Sequence, residues 1–427
     1  MSISRVIGQL RLTALFLAMA VVPTGLRAEP AGDTTAKPIV AVFKLQTPVT
    51  ESPGELNLFG KQPVSLRELV GHLAKASRDE SVKAVVLINE GGGLGSAQIE
   101  EVRQALAKCQ KAGKPVYAHS DSMSMGEYIL FAGADRISVV PTADLWVVGF
   151  FGEQPYLRGL LDKIGVVPDY LHCGDYKSAG EMFMRDGPSP EADRMMNWLF
   201  DSIYATHLDL IAKGRKVDSA KARSWVDNAP YTSEKAKAAG LIDAIEHRQD
   251  FETVLKKKFG ENIVFEKKYG QPKEEKLDLS SPLALLKIWG ELLSGGKKKE
   301  APKPAVGIVY VDGAIGLGSP DDSPFSAASG GAYSTPIRKA LDQAAEDDSI
   351  QAVVLRVDSP GGSAVASEII LDATRRVKAK KPYVVSMGNV AGSGGYYVAC
   401  ASDTIFADRT TITASIGVVG GKLVTTP

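Results

Sequence analysis

The sequence predicts an α/β protein built from two tandem copies of one fold, with parallel strands and crossover helices. The stretch AVVLINEGGGLGSAQIEE, which begins at Ala84, recurs as AVVLRVDSPGGSAVASEI from Ala352. The shift that takes Ala84 to Ala352 also relates SMSMGEYILFAGADRI to VAGSGGYYVACASDTI. Each copy places an apolar run before a glycine-rich turn and a helical pattern, an order typical of parallel strands joined by helices.

Each element of the first copy has its own local signal. Alternation predicts a strand, an uninterrupted apolar run predicts a buried parallel strand, and a repeat near 3.6 residues predicts a helix. The predicted order is a strand at Ile39–Leu45, a helix at Ser65–Ala76, a strand at Ala84–Ile88, a turn at Gly91–Gly95, a helix at Ser96–Lys111, a strand at Val116–His119 and a helix near Met125.

The second copy repeats this order. A strand at Ala352–Val357 precedes a Pro-Gly-Gly turn, and a strand at Tyr383–Ser386 precedes a flexible turn at Gly388–Gly392 and a helix from Gly394. The mostly helical region Leu157–His247 has no counterpart there, because under the same shift it would extend beyond Pro427. We therefore expect the second repeat to be incomplete.

Four segments follow from these patterns. Residues 1–28 form a signal peptide or an N-terminal anchor, residues 37–268 the first repeat, residues 269–303 a linker with an amphipathic helix, and residues 304–427 the second repeat. In the linker, the apolar positions Leu285, Leu286, Trp289, Leu292 and Leu293 precede three lysines. We favour a helix packed on its own domain, with an anionic membrane surface as the alternative partner.

Composition excludes several classes of function. The 427 residues include 50 basic and 50 acidic side chains and are 44% hydrophobic, so neither disorder nor nucleic-acid binding is predicted. The sequence contains no metal-ligand spacing, and we predict no metal and no cofactor. Cys109, Cys173 and Cys400 are predicted to be buried thiols, with one disulfide as the alternative.

The N-terminus has the order of an export signal. Arg5 and Arg11 precede an apolar run at Leu12–Val22, and a cut after Ala28 follows the small-residue pattern. The run is shorter than the roughly 20 residues that span a bilayer, so cleavage is favoured over anchoring. Leu26 is bulky for the position three residues before the cut, which keeps an uncleaved tether as the alternative.

Ser393 is the candidate nucleophile. It stands among glycines where a strand gives way to a helix, a place that exposes a hydroxyl and offers free backbone N–H groups. Its counterpart in the first copy is Met125, which cannot attack a carbonyl. The turn Asp358 to Ser363 ends the preceding strand of the same copy, and we expect it to lie beside Ser393.

The residues alone leave the base open. An activated serine needs a base, and all five histidines lie at or before His247, outside the copy that holds Ser393. A histidine borrowed from the first copy is one alternative. A lysine whose pKa is lowered by its surroundings is the other, and Lys177 lies in a short turn of the first copy.

The combined pattern resembles the signal peptide peptidase A family, in its tandem-repeat form, which has the ClpP/crotonase-like fold. The resemblance covers nearly the whole chain after residue 37. The residues that carry it are Ser359-Pro360-Gly361-Gly362-Ser363, Met387-Gly388 with Ala391 to Tyr396, Thr413 to Gly417, and Tyr176-Lys177-Ser178-Ala179 with Arg185-Asp186.

The resemblance implies a role for each site residue. Ser393 would be the nucleophile and Lys177 the general base, with Gly361 and Gly394 supplying the oxyanion N–H groups. Ser415 would orient the lysine, and we expect Ser178 or Ser415 to hold its amine in place. The base then comes from the first repeat and the nucleophile from the second, so neither repeat should work alone.

The implied function is that of an exported serine endopeptidase with a Ser-Lys dyad. It would degrade cleaved signal peptides or other hydrophobic peptides at or near the bacterial inner membrane, on the periplasmic side, as a homo-oligomer. Two rivals are a crotonase-type acyl-CoA enzyme and a catalytically inactive binding or assembly scaffold. The export signal and Ser393 argue against the acyl-CoA enzyme.

Overall fold

The computed structural model describes residues 37–53, 63–271, 304–320 and 331–425. The predicted signal segment 1–28 and the predicted linker helix around Leu285 to Leu293 lie outside these ranges. Over the ranges that the structure covers, no helix combines the length and apolar character needed to cross a membrane.

The described strands, in chain order, are β1 (Ile39–Leu45), β2 (Val82–Asn89), β3 (Val116–Ser120), β4 (Met123–Ser124), β5 (Arg136–Val139), β6 (Asp144–Trp146), β7 (Val166–His172), β8 (Tyr231–Thr232), β9 (Ala244–Ile245), β10 (Val264–Glu266), β11 (Ala305–Asp312), β12 (Ile315–Gly316), β13 (Ala332–Tyr333), β14 (Ile350–Ser359), β15 (Tyr383–Gly392), β16 (Ile405–Phe406), β17 (Ile412–Ala414) and β18 (Val419–Thr425).

The described helices are α1 (Leu66–Arg78), α2 (Ser96–Lys111), α3 (Met125–Phe131), α4 (Arg158–Lys163), α5 (Glu181–Met184), α6 (Pro190–Arg215), α7 (Ser219–Asp227), α8 (Ser233–Ala239), α9 (Arg248–Phe259), α10 (Ser334–Glu346), α11 (Ala364–Lys380) and α12 (Gly394–Ala399), with a 3-10 turn at Ser178–Gly180.

The α/β class with parallel strands and crossover helices is confirmed. In the first repeat six strands pair in the order β10-β1-β2-β3-β5-β9, and every pair is parallel. In the second repeat β11-β14-β15-β16 pair in the same way, with β17 also parallel to β15. The helices between the strands supply the crossovers that parallel pairing requires.

Both faces of the first sheet are covered, which explains its continuous apolar runs. Along β1, Ala41 and Phe43 pack in a core cluster with residues of α1 and α2. Val40 and Val42 face the other way and pack against Phe251 of α9 in a second cluster. Since side chains alternate along a strand, only an uninterrupted apolar run can fill both faces.

The duplication predicted from the sequence is present in the order and spacing of the elements. Helices α1 and α10 begin at positions related by the shift that takes Ala84 to Ala352, and so do strands β2 and β14 and strands β6 and β17. Helix α3 in the first repeat corresponds to α12 in the second. The mostly helical character predicted for Leu157–His247 is confirmed in its main part, where α4 to α8 lie.

One predicted turn is wrong. Residues Gly388–Gly392, read as a flexible turn because of their glycines, continue strand β15 instead. Their backbone pairs with β17, and Ala391 also pairs with Ser359 at the end of β14. Strand partners on both sides therefore override the weak strand preference of glycine.

The prediction of buried thiols is also wrong for two of the three cysteines. Cys109 is buried inside the first repeat, whereas Cys173 and Cys400 are exposed, and all three are free. Cys173 directly follows the exposed end of β7, and Cys400 caps the C-terminus of the short helix α12. Both positions lie at the ends of elements, where burial is not enforced by the core.

The two repeats are joined by a strand pair and by buried charge. Strand β18 pairs antiparallel with β7, from Val419 opposite His172 to Thr425 opposite Val166. Elsewhere in the interface Arg356 of the second repeat, only 9% exposed, binds the carboxylates of Glu51 and Glu101. A buried guanidinium with two carboxylate partners ties the repeats in one relative position.

A helix cap also crosses the interface. Gly95 precedes α2 and has no side chain to cap it, and the Asn389 amide oxygen accepts from the backbone N–H groups of Ala97 and Gln98 at 3.2 and 3.4 Å. A Cβ on Gly95 would lie 2.1 Å from the Asn389 amide oxygen. The second repeat thus satisfies orphan N–H groups of the first.

We expect Asn389→Ala to lower the free energy of unfolding by about 1 kcal/mol, because it removes this cap. Urea denaturation measures the change. Asn197→Ala is the matched control, since in the described structure the exposed Asn197 amide bonds to the Asp193 carbonyl of its own helix. Equal stabilities of the two variants would contradict the cross-repeat cap.

Candidate active site

Ser393 stands between the end of β15 and the start of α12. Its φ of 50° and ψ of −112° are unusual for a residue with a side chain, and the backbone holds it there through a bond from its N–H to the Ala414 carbonyl at 2.8 Å. Its own carbonyl accepts from Tyr397 N–H at 2.9 Å. Strained backbone of this kind persists only where the surroundings impose it, and it is frequent at active sites.

Lys177 reaches the same place from the first repeat. It follows β7 in a tight turn, with its N–H bonded to the Gly174 carbonyl at 3.0 Å. Because β7 pairs with β18, and Ser415 lies just before β18, this turn lies against the end of the second repeat. The Lys177 side chain is buried there, with the residue only 7% exposed.

The Lys177 amine has three hydrogen-bond partners. Its Nζ lies 3.0 Å from Ser393 Oγ, 2.7 Å from the Ser415 carbonyl oxygen and 3.1 Å from Ser415 Oγ. A neutral amine has two hydrogens and one lone pair. When both hydrogens are donated to Ser415, the lone pair is left to accept the hydroxyl proton of Ser393.

Burial of Lys177 lowers the pKa of its amine, and desolvation is the cause. Removing an ammonium from water penalises its charged form, whereas a nearby carboxylate would favour it. The surroundings therefore shift this lysine toward the neutral state that a general base needs.

The structure brings Ser415 to the amine, whereas Ser178 begins the 3-10 turn Ser178–Gly180 and is not among the amine's bonded partners. Of the two serines expected to hold the amine, Ser415 has the required geometry. Its φ of 48° is another left-handed value for a residue with a side chain.

The Pro-Gly-Gly turn lies beside the Ser393 junction as expected, but one of its N–H groups is engaged. Gly361 has a φ of 97°, and a Cβ on it would lie 2.6 Å from Gly394 N, so only glycine fits. Gly361 N–H, however, donates to Ser359 Oγ at 3.1 Å, within its own turn. This bond conflicts with the expected oxyanion role of Gly361, because an N–H has one hydrogen to give. Gly394 N lies beside Ser393, and Gly362 N is within 3.2 Å of where a Gly394 Cβ would stand.

Sequence reasoning missed Asp358 and Asn389. The Asp358 carboxylate accepts from Val390 N–H at 2.8 Å and from the Asn389 amide at 3.1 Å. It thereby fastens the end of β14 to β15, the strand that leads to Ser393, and burial raises the pKa of this carboxyl. A signal was present, since an aspartate that ends a buried strand needs local N–H partners.

The histidines lie elsewhere. His119 is fully buried in the first repeat, with its Nδ1 2.9 Å from Ser138 Oγ, and burial lowers its pKa to about 4. His172 is exposed and contacts the Gly174 carbonyl. Among the described contacts of Ser393, the basic side chain is Lys177. The geometry thus favours lysine over the borrowed histidine.

A serine hydroxyl at a strand-to-helix junction, bonded to a buried lysine, is the arrangement that some serine hydrolases use for a nucleophile and its base. The family model for Peptidase family S49 matches residues 108–261 and 375–426. The chain belongs to this family, the signal peptide peptidase A family.

Several relatives are similar to this chain over about half of its length or more. "Protease 4" of Haemophilus influenzae is 32% identical over 83% of this chain and 56% of its own length. "Serine protease SPPA, chloroplastic" of Arabidopsis thaliana is 29% identical over 84% of this chain and 50% of its own. "Putative signal peptide peptidase SppA" of Enterococcus faecium is 29% identical over 49% of this chain and 60% of its own. The chain thus spans about half the length of the curated relatives it matches.

Proposed function

We propose that this chain is a serine endopeptidase in which Ser393 is the nucleophile and Lys177 is the general base. The observation that carries the proposal is the 3.0 Å contact between Lys177 Nζ and Ser393 Oγ, made by a buried lysine whose pKa is lowered. Membership in a family of serine peptidases supports the same reaction.

In the first half of the reaction, Ser393 Oγ attacks the carbonyl carbon of the peptide bond while its proton passes to Lys177 Nζ. The oxygen of the substrate carbonyl becomes an oxyanion, and the proposed donors to it are the N–H groups of Gly394, which follows Ser393, and of Gly362, on the turn that lies against Gly394. The lysine then gives its proton to the leaving nitrogen. The C–N bond breaks and an acyl-serine ester remains.

In the second half, water attacks the ester carbonyl and gives its proton to the neutral Lys177. The amine returns the proton to Ser393 Oγ as the C–O bond breaks, which releases the peptide acid and restores the enzyme. Throughout both halves Ser415 holds the amine through its carbonyl and hydroxyl, so that Nζ stays aligned with Ser393.

The surface beside the dyad supports apolar peptides as the substrate class. Leu171, Ile416 and Val418 flank the Lys177 turn and are 78%, 67% and 58% exposed. Large apolar side chains left in water on one surface mark a binding site for an apolar partner. Cleaved signal peptides have such side chains, and the proposed setting is the periplasmic face of the bacterial inner membrane.

Self-association belongs to the same proposal. Phe151 and Trp198 of the first repeat are 83% and 74% exposed. Exposed aromatic side chains of this size favour burial in an interface. We therefore propose a homo-oligomer in which each chain contains its own Lys177 and Ser393.

A fluorophosphonate probe tests the nucleophile. The folded protein is expected to form one covalent adduct on the Ser393 hydroxyl, because Ser393 is the serine bonded to a buried amine. Mass spectrometry of the digested protein locates the adduct. Failure of the folded protein to react would favour the inactive scaffold over the peptidase.

A further inference from the structure

The first repeat contains a cavity where the second repeat has its active site. Its volume is about 530 Å³, and its floor includes Asn89 and Ser120, the last residues of strands β2 and β3. Met125, the counterpart of Ser393, begins the adjacent helix α3. The cavity thus lies at the carboxyl ends of parallel strands, as ligand sites of such sheets do.

This cavity has lost the means of acyl transfer. Methionine replaces the nucleophile, and the turn Gly91–Gly93 directs an N–H inward, from Gly92 to the Leu45 carbonyl at 3.0 Å. The N–H is therefore engaged inside the protein and does not face the cavity. Gly92 corresponds to Pro360 of the catalytic repeat, which has no N–H, so the difference that removes acyl transfer here is the methionine in place of Ser393.

Two buried hydrogen-bond acceptors line this cavity. Asn89 is only 9% exposed, and its amide oxygen has no hydrogen-bond partner among the described residues. The same holds for the buried Oε1 of Glu127, whose Oε2 accepts from Ser124 N–H at 2.7 Å. Both residues line the cavity.

The catalytic repeat has no such acceptors at the corresponding positions. Under the shift that takes Met125 to Ser393, Asn89 corresponds to Val357 and Glu127 to Gly395, neither of which has a polar side chain. A buried acceptor without a partner is destabilising, because it has lost its hydrogen bonds to water and gained none in return. A ligand that donates hydrogen bonds removes that cost.

The charge of the lining favours a cationic donor. Glu90, Asp121 and Glu127 line the cavity with the single cation Arg248, among the residues described there. Glu90 is already paired with Lys44 and Arg248 at 2.7 and 2.6 Å, whereas Glu127 Oε1 is free to accept. Apolar side chains complete the wall: Leu45, Leu94, Ile99, Leu130 and Phe131.

We propose that this cavity binds a primary ammonium group, and that its ligand is the free α-amino terminus of a peptide whose first side chain packs on the apolar wall. An ammonium has three donors for the free oxygens of Asn89 and Glu127. The choice of a peptide rests on the proposed function, which supplies peptides. The first repeat would then hold the N-terminal end of a peptide while another part of the same peptide enters the active site.

Calorimetric titration on a Ser393→Ala background tests this without turnover. The probes are tetra-alanine amide, its N-acetylated form and butylamine. We expect the free peptide to bind at least about tenfold more tightly than the acetylated one, as loss of a charge-assisted hydrogen bond implies. Butylamine should compete with the free peptide, since it supplies the same ammonium group.

Two variants localise the effect. Glu127→Gln keeps an acceptor for Ser124 N–H but removes the charge, and Asn89→Val restores the residue of the catalytic copy. Each should abolish the preference for the free amine while leaving affinity for the acetylated peptide unchanged. Glu261→Gln is the matched control and should keep the preference, because Glu261 lies on an exposed turn and is not among the residues that line the cavity.

Equal affinity for the free and acetylated peptides would overturn the proposal, as would an unchanged preference in both variants. If butylamine competes but the free peptide binds no more tightly than butylamine does, the cavity is a site for small amines and the proposal of a peptide terminus is refuted. Failure of the peptidase proposal is distinguishable from failure of this one. In that case the wild-type protein would hydrolyse no peptide, whether or not the cavity binds the free amine.

Discussion

Ser393→Ala is expected to reduce peptide hydrolysis by about ten-thousandfold or more while the protein still folds. The variant removes the hydroxyl oxygen that forms the acyl ester, and loss of an activated serine elsewhere has effects of this size. The measurement is kcat/KM on a hydrophobic peptide whose cleavage releases a fluorophore, with circular dichroism to verify the fold.

Ser402→Ala serves as the control for this substitution. Ser402 lies in the same repeat, and its hydroxyl bonds to the Thr404 carbonyl at 2.8 Å, away from the dyad. It should leave kcat/KM within about twofold, the usual range for a serine outside the site. Retention of more than about a tenth of the activity by Ser393→Ala would remove this residue from the nucleophile's role.

Lys177→Arg is expected to be nearly as damaging as Lys177→Ala, with a loss of about a thousandfold or more in kcat, since the base that activates the serine is removed. A guanidinium keeps its proton at any ordinary pH and cannot accept one from Ser393. If Lys177 served only as a positive charge in the structure, arginine would restore activity and alanine alone would be damaging. The two variants together therefore separate a general base from a structural charge. Steady-state kinetics on the same peptide measures both.

The pH profile gives a second readout of the same base. Desolvation lowers the pKa of the Lys177 amine, so the neutral form becomes the major species at a lower pH than for a lysine in water. Activity should rise with pH through this pKa and level off above it, at a midpoint below the value of about 10.4 for free lysine. A rise only at the ordinary value of lysine would contradict the role of burial.

Histidine variants test the rival base. His172→Ala should leave activity largely unchanged, because its ring lies on the surface and contacts the Gly174 carbonyl. His119→Ala should also be mild for activity, since its ring is buried against Phe251 in the first repeat. Loss of turnover in either variant, with activity kept in Lys177→Ala, would replace the dyad by a Ser-His arrangement.

Local features of the chain were predictable because they depend on near neighbours. The apolar runs of the parallel strands and the start of helix α2 at Ser96 follow from residues within one segment, and the duplication follows from comparing two such segments. Ser393 was identifiable for the same reason, since its strand and its helix are adjacent in the sequence. Residues Gly388–Gly392 were misread because their strand partners, β14 and β17, lie outside that segment.

By itself, the sequence determined the α/β duplication, the serine at the strand-to-helix junction and the methionine, Met125, at the corresponding position of the first copy. Only the tertiary structure places Lys177, and not a histidine, beside Ser393 and brings Ser415, and not Ser178, to the lysine amine, and only it shows that Gly361 N–H is engaged. Lys177 and Ser393 are far apart in the sequence, and the antiparallel pairing of β7 with β18 brings them together. A lysine becomes a base through desolvation, and desolvation arises from packing between repeats that no local pattern records.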